Sequence, residues 1–125
     1  MDASSPVLGL PRTHRIKQGR DFARTKAQGE RLAHGCLILN WLRLPPGAPS
    51  RVGVITSRRL GEAVCRSRAR RLLREAFRLN QPSLAQPVDL VLVARPSIVG
   101  KSFADVAADY VSALRKARLY RDPAL

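Results

Sequence analysis

The side chains with the clearest chemical potential are arginines clustered in the middle of the chain. Eight arginines and only two acids lie between positions 58 and 78, a local excess of six positive charges. A guanidinium group binds phosphate oxygens through forked, charge-assisted hydrogen bonds. The chemistry that this stretch can perform is therefore the binding of a phosphate-rich partner.

At about 100° per residue, the same stretch separates into two faces of a helix. The predicted core-facing residues are Cys65, Ala69, Leu72, Leu73 and Ala76. The opposite face carries Arg66, Arg70, Arg71, Arg74 and Arg78, with Arg68 at its flank. Arg66, Arg70 and Arg74 are successive i, i+4 neighbours, and like charges at that spacing destabilise a helix. Since a merely solvated face normally mixes charge signs, this pattern favours contact with phosphates.

No other group of residues indicates catalysis by the chain itself. His14 and His34 are isolated, and the nine acids form no cluster typical of a metal-dependent nuclease. A Gly-rich phosphate loop and a Ser/His/Asp arrangement are both absent from the sequence. We expect no catalytic residue, no metal ligand, no cofactor held by protein side chains alone and no small-molecule substrate.

The excess of positive charge is a property of the whole chain and not only of the segment 58–78. The 125 residues carry a formal charge of +14, and the hydrophobic fraction of 45% is enough for a folded core. Such a charge calls for a polyanionic partner. Nucleic acid is favoured over an anionic membrane surface, because the apolar helix faces are predicted to be used in the core.

The location of the protein follows from what the sequence lacks. No apolar run approaches the ~18 residues that a membrane span needs, and the first twenty residues contain no apolar signal core. Cys36 and Cys65 form no CxxC pair. We expect a cytoplasmic protein in a reducing compartment, without a membrane partner.

Hydrophobic periodicity places these residues on a single α+β domain over 1–125. Residues 1–11 are expected to form a flexible arm and residues 120–125 a short tail. Helices are predicted over 15–27, 61–79 and 102–119, and strands over 32–33, 36–44, 51–57 and 88–94, with a bend at Gly35. Ile16, Phe22, Ala23 and Thr25 are expected to point inward from the first helix.

The sequence specifies two of these predicted elements more closely, the last strand and the last helix. The nearly continuous apolar run 88–94 predicts a strand buried on both faces, which can run parallel to 51–57 because a helix connects the two. Ser102 is a predicted N-cap for the last helix, with Asp105 completing a capping box. The apolar stripe of that helix is predicted to lie in the core, and it comprises Phe103, Val106, Ala107, Tyr110, Val111 and Leu114.

The residues that precede the arginine helix favour RNA over DNA as the partner. A DNA recognition helix normally follows a scaffold helix across a short turn, whereas here a strand and Gly61 come first. Aromatic residues make up only 5% of the chain, so base stacking is not the main mode of binding. Three hypotheses remain open: a subunit of an RNA enzyme, a structural RNA-binding protein such as a ribosomal component, and a basic transcription factor.

The segment 51–78 resembles the bacterial ribonuclease P protein subunit. The similarity rests on the strand RVGVITS, the basic pair Arg58-Arg59, Gly61, and the arginine helix that contains RSRARRLLR. Weaker similarity in HRIKQGRDF, VDLVLVARP and the last helix extends it to about residues 11–120. The resemblance implies an α-β-β-β-α-β-α sandwich with helices on a mixed four-stranded sheet, similar to a domain of ribosomal proteins, with a left-handed crossover.

The resemblance also implies a function. The protein would bind the catalytic ribonuclease P RNA and the 5′ leader of precursor tRNA, and would assist the endonucleolytic removal of that leader. The active site and its Mg²⁺ would belong to the RNA subunit within the RNA–protein holoenzyme.

Site residues are implied by position within the resemblance. RNA binding falls to Arg58, Arg59, Arg66, Ser67, Arg68, Arg70, Arg71 and Arg74, with Ser67 standing where the family usually has Asn. The leader cleft would contain Phe22, Lys26 and Asn40. Because Lys26 and Asn40 occupy positions that are often aromatic in relatives, leader contact here would depend more on charge and hydrogen bonding. Trp41 should point away from Asn40, since side chains alternate along a strand.

Overall fold

The computed structural model of the chain describes residues 12–16 and 19–123. The predicted order of elements is confirmed, with one helix, three strands, a second helix, a fourth strand and a third helix. The helices are α1 (Gly19–Gln28), α2 (Ala63–Leu79) and α3 (Phe103–Lys116). The strands are β1 (Glu30–His34), β2 (Leu37–Arg43), β3 (Arg51–Ile55) and β4 (Val88–Ala94). The arm predicted over residues 1–11 lies outside the described residues.

The four strands form one mixed sheet in the order β1-β2-β4-β3. β2 is antiparallel to both β1 and β4, whereas β3 and β4 run parallel, as predicted. Because β4 lies inside the sheet, six of its seven residues are buried. The prediction that this apolar run is buried on both faces is confirmed.

Helices cover both faces of the sheet. Leu39 and Leu92 of the sheet share one core cluster with Leu73 of α2 and Tyr110 of α3. The α1 helix lies on the other face, where the ring of its Phe22 contacts β3 at Gly53. This is the expected α+β sandwich of helices on a mixed sheet. None of the helices within the described residues has the length and hydropathy that crossing a bilayer requires.

The first helix begins later than its pattern predicts. The prediction over 15–27 is wrong at its start, because Arg15 forms a parallel bridge with Val52. The Ile16 amide donates to the Val52 carbonyl at 2.9 Å, so this segment extends the sheet at the edge of β3. Pairing there satisfies edge backbone groups that a helix would leave open. Ile16 and Thr25 are buried as expected, whereas Ala23 is exposed and the prediction for it is wrong.

The last helix begins where its cap predicts. The Ser102 Oγ accepts a hydrogen bond from the Asp105 amide at 3.1 Å. Val106, Tyr110 and Leu114 are fully buried, while Phe103, Ala107 and Val111 are partly buried. The predicted stripe is therefore the face that α3 directs at the core.

The chain after α3 is anchored to the rest of the domain. The helix ends at Lys116, before the predicted residue 119, because Arg118 takes a left-handed φ of 61°. Tyr120 then forms an antiparallel bridge with Leu84. The prediction of a short tail from about residue 120 is wrong at this residue, since a distant backbone segment offers it a partner.

The bend predicted at Gly35 is the turn between β1 and β2. Gly35 has a φ of 56°, and a Cβ there would lie 2.4 Å from the carboxylate of Asp109. That carboxylate accepts a hydrogen bond from the Cys36 amide at 3.0 Å, which ties the turn to α3. Burial, with a further contribution from Asp109, raises the pKa of the Cys36 thiol to about 12. Cys36 and Cys65 are both free.

The buried hydroxyl of Tyr110 generates a prediction about stability. Tyr110 is fully buried, its hydroxyl has no hydrogen-bond partner among the described residues, and burial raises its pKa far above the usual range. We expect Tyr110→Phe to leave the free energy of unfolding at pH 7 unchanged or higher by up to about 1 kcal/mol. Urea denaturation measures this, and a loss above about 2 kcal/mol would contradict it.

The same hydroxyl predicts a pH dependence. The unfolded tyrosine loses its proton near pH 10, whereas the folded one holds it, so its contribution to stability is complete below that pH and falls as the pH rises. The wild type should therefore lose more stability between pH 8 and pH 11 than Tyr110→Phe. The control is Tyr120→Phe, which changes a partly buried tyrosine and leaves Tyr110 in place, so the alkaline loss caused by Tyr110 should remain.

Candidate nucleic-acid interface

The arginine helix is held by a stripe of buried residues. Ala69, Leu73, Ala76 and Phe77 are buried, whereas Cys65 and Leu72 are only partly buried. Phe77 projects at about 20° from Arg66, so the packed stripe is rotated toward the arginines relative to the prediction. This rotation follows from α2 packing against both β3 and α3. As a result, Arg66 and Arg70 border the core and are partly buried.

The basic pair before α2 lies on a single 3-10 turn, Arg58–Leu60. Leu60 is buried and belongs to the main core cluster, while Arg58 and Arg59 are exposed. The Ser57 Oγ accepts a hydrogen bond from the Arg59 amide at 3.3 Å and closes the start of the turn. One anchored leucine thus fixes the backbone that presents two exposed guanidinium groups.

The row of arginines along α2 is oriented by neutral acceptors. Arg66 donates through Nη1 to the Gly61 carbonyl at 2.7 Å. Arg70 donates to Thr56 Oγ1 at 2.7 Å and to Ser67 Oγ at 3.1 Å. These bonds position the guanidinium groups without cancelling their charge. Ser67, the predicted substitute for Asn, therefore has a defined role, since its hydroxyl orients Arg70.

Arg74 is the most crowded member of the row. Burial lowers its pKa, and the positive charges of Arg15 and Arg70 lower it further. Arg15 was not among the predicted site residues, and no spacing in the sequence connects it with α2. It comes near Arg74 because its backbone pairs with Val52 at the edge of β3. The tertiary structure thus adds a cation to this surface.

Two other predicted arginines lie apart from the row. Arg68 projects from the opposite flank of α2 and donates through Nη2 to the Lys101 carbonyl at 2.8 Å. It therefore connects α2 to the segment before α3 and is partly buried. Arg71 is exposed. The predicted RNA-binding set is consequently divided, with Arg68 on one flank and the other members on the remaining exposed side.

The carboxyl end of the arginine face is neutralised. Arg78 forms a two-pronged ion pair with Glu75, with Nε–Oε1 and Nη2–Oε2 distances of 2.7 and 2.8 Å. Hydrogen bonds from Arg78 lower the pKa of Glu75. Glu75 is the one acid within the sequence of α2. Among the described residues, the arginines of this face without an acidic partner therefore end at Arg74.

A second surface forms on the α1 side of the sheet. Strand register places Gly53, Val91, Asn40 and Arg31 in one row across the four strands, on the same face. Phe22 lies over one end of this row, since a Cβ on Gly53 would meet its ring at 2.4 Å. Asn40 therefore belongs to the sheet row over whose end Phe22 lies.

The other residues in or near the predicted cleft differ in their exposure and in their contacts. Lys26 is exposed one helical turn after Phe22 on α1. Asn40 is 2% exposed, and its Nδ2 donates to the Val91 carbonyl at 3.3 Å, so its amide bonds within the sheet. Trp41 points to the opposite face and is buried in the main core, as predicted. Arg31, which the sequence prediction missed, is exposed beside Asn40 in the row.

Beyond this row, the sheet presents a partly exposed apolar strip. The next row on the same face comprises Ala33, Ile38, Val93 and Ile55. The last three side chains are partly buried, and Ala33 is exposed. An apolar floor next to cations suits a single-stranded nucleic acid, whose bases are apolar on their faces and whose backbone is anionic.

The described residues do not form a metal site by themselves. Among them, no three His, Cys, Asp or Glu side chains come together in a way that could hold an ion.

This fold and these two surfaces define a class: small basic α+β domains whose cationic surfaces suit a polyanionic partner. Solved structures share the fold. The RNase P protein of Staphylococcus aureus superposes with a TM-score of 0.76 at 23% identity, covering 86% of this chain and 98% of that one. The RNase P protein from Thermotoga maritima gives a TM-score of 0.72 at 24% identity, covering 82% of this chain and 96% of that one.

Sequence similarity identifies the family of this chain. The family model described as Ribonuclease P matches residues 10–118. The ribonuclease P protein component of Gluconacetobacter diazotrophicus is 36% identical over 107 residues, covering 85% of this chain and 92% of that protein. That of Chloroflexus aggregans is 38% identical over 117 residues, covering 91% and 84%. The chain belongs to the ribonuclease P protein family and is a protein component of this tRNA-processing ribonucleoprotein.

The Glu75–Arg78 pair yields a prediction about the arginine face. Glu75→Gln should release Arg78 for phosphate contact, which adds about one neutralised phosphate. The slope of log K against log salt for a single-stranded RNA homopolymer should steepen by about 0.7. Asp105→Asn is the matched control, because it removes the same charge from an exposed position on α3. Equal slopes for the two variants would contradict a role of Arg78 on this face.

Proposed function

We propose that the protein binds the catalytic RNA of ribonuclease P with one surface and the 5′ leader of precursor tRNA with another. The RNA surface is the exposed side of α2 with the preceding turn. It comprises Arg58, Arg59, Arg66, Ser67, Arg70, Arg71 and Arg74, with Arg15 beside it and Arg68 reaching RNA from the flank. The leader surface is the cleft between α1 and the sheet.

The observation that carries the first assignment is the row of Arg66, Arg70 and Arg74, which has no ion pair with an acid among the described residues. Two of these side chains are oriented by neutral oxygens, and the third is crowded by other arginines. Phosphates between them would relieve the mutual repulsion while accepting forked hydrogen bonds. A backbone-binding surface of this kind recognises the shape of a folded RNA more than its sequence.

The cleft supports the second assignment through its mixture of apolar and cationic groups. Phe22 is partly exposed over the sheet, and bases can stack on or pack against such a ring. Lys26 and Arg31 are exposed and can meet the phosphates of the same strand. Asn40 shapes the floor, since its amide is engaged by Val91.

In this proposal the protein binds RNA, and the RNA subunit carries out the hydrolysis. The phosphodiester hydrolysis and its Mg²⁺ are assigned to the RNA subunit in the holoenzyme. The protein neutralises phosphates, so less Mg²⁺ is needed to bring the RNA and its substrate together. The partners are therefore the catalytic RNA and precursor tRNA. Family membership favours this enzyme role over a ribosomal or transcriptional one.

Reconstitution tests the proposal directly. The protein is added to the ribonuclease P RNA of the same genome, and cleavage of precursor tRNA is followed at low and high magnesium. We expect faster cleavage with protein at low magnesium and a smaller effect at high magnesium, because the added cation can replace the neutralising role. An absence of stimulation at low magnesium would overturn the assignment.

A double variant tests the arginine row. Arg66→Ala with Arg70→Ala should lower the affinity for the catalytic RNA by about tenfold or more at ~100 mM salt. The salt slope should flatten by about two, roughly one for each lost phosphate contact. Arg115→Ala is the control, since that arginine lies on α3 with its guanidinium 4.0 Å from the Tyr120 ring centre. Unchanged binding of the double variant would remove α2 from the interface.

A further inference from the structure

Four charged side chains meet between α1 and the sheet. Asp21 and Arg24 come from α1, Arg51 from β3 and Asp89 from β4. Arg51 holds Asp89 through two hydrogen bonds, Nε to Oδ1 at 2.9 Å and Nη2 to Oδ2 at 2.6 Å. Asp89 is completely buried, so this pair is removed from solvent on the carboxylate side.

The same arginine connects the sheet to the helix. Its Nη1 lies 3.5 Å from Asp21 Oδ2, and Arg24 Nη2 lies 3.7 Å from Asp89 Oδ2. Hydrogen bonding to Asp89 is the main reason that the pKa of Arg51 is raised. The cluster therefore connects α1, β3 and β4 through ion pairs.

The charge balance of the cluster separates it from the RNA surface. Two carboxylates match two guanidinium groups here, in a chain with only nine acids and a charge of +14. A neutral cluster adds little to the attraction of RNA. Replacing a buried ion pair with apolar residues is often neutral for stability, so the pair is weak evidence of a stabilising role. Its geometry is more informative. The forked pair fixes the Arg51 guanidinium and the Asp89 carboxylate on the sheet, and Asp21 and Arg24 of α1 pair with these two fixed groups.

The ring of Phe22 is seated by the same elements. Phe22 follows Asp21 in α1, and Gly53 lies two residues after Arg51 on the same face of β3. A Cβ at Gly53 would come within 2.4 Å of the ring, so the absence of a side chain lets the ring approach the sheet. The ion cluster and this glycine together determine the height and position of Phe22 above the cleft floor.

We propose that Asp21, Arg51 and Asp89 are positioning residues for recognition of the tRNA leader. They hold α1 at one distance from the sheet and thereby set the shape of the cleft in which Phe22 meets the leader. The inference rests on the proposed function of the cleft, but it assigns the role to residues that touch no RNA.

The test compares two substrates in the reconstituted holoenzyme. Dissociation constants are measured for a precursor tRNA with its 5′ leader and for the same tRNA without it. The variants are Asp21→Asn, which removes one anchor, and Arg51→Lys, which keeps the charge but loses the fork. Each should weaken binding of the precursor by about tenfold, which is the order of loss expected when one base no longer stacks on an aromatic ring. Binding of the leaderless tRNA and of the catalytic RNA should stay as in the wild type.

A matched control accounts for charge. Glu30→Gln breaks the exposed Arg43–Glu30 pair, whose Nη1–Oε2 distance is 2.7 Å, and it changes the net charge by the same amount as Asp21→Asn. Its preference for the precursor should equal that of the wild type. Melting temperatures of all variants are measured alongside.

The possible results distinguish a failure of the proposed leader cleft from a failure of the positioning role alone. A wild-type holoenzyme that binds both tRNAs equally would overturn the proposed leader cleft and, with it, this inference. A wild-type preference that survives in both variants would overturn the positioning role alone. An equal loss for the two tRNAs, or the same loss in Glu30→Gln, would also reject it, because general damage or charge would then explain the effect.

Discussion

The structure depends on packing a strongly cationic helix against a sheet. Like charges along α2 oppose helix formation, and the helix also borders Arg15 at the sheet edge. Burial of Leu73 and Phe77 supplies the opposing attraction, because each removes a large apolar side chain from water. The arginines beside that stripe are then bonded to neutral oxygens, so their charge is kept and their freedom is reduced. A partner that supplies phosphates would complete this balance of forces.

The two faces of the sheet are held by different interactions. On the face of α2 and α3, close-packed apolar side chains such as Leu39, Leu92 and Tyr110 form the main core. On the other face, α1 is short and is seated by the Arg24–Asp89 and Asp21–Arg51 ion pairs and by the contact between Phe22 and Gly53. The forked Arg51–Asp89 pair has one favourable geometry, so the partners that the sheet offers to Asp21 and Arg24 are fixed in place. Charged groups therefore take part in seating α1, whereas apolar packing dominates on the opposite face.

Predictions from sequence succeeded where a pattern repeats within one element. The buried strand β4, the stripe and Ser102 cap of α3 and the amphipathic character of α2 follow from local spacing, and the structure confirms them. Predictions failed where distant segments interact. The start of α1 was wrong because Arg15 pairs with Val52, and the expected tail was wrong at Tyr120 because it pairs with Leu84.

The candidate site likewise combines features that local sequence determines with features that depend on the fold. Sequence alone determined that the chain is a basic α+β domain whose arginines gather on one helix, because residue types and a 3.6-residue period are local properties. The arginine motif was also enough to indicate the family. Only the tertiary structure decided that Arg15 joins the surface, that Arg68 and Arg78 are engaged by Lys101 and Glu75, and that Asn40 bonds within the sheet. These outcomes depend on which distant backbone and side-chain groups come within hydrogen-bonding reach, and that distance is a property of the folded chain.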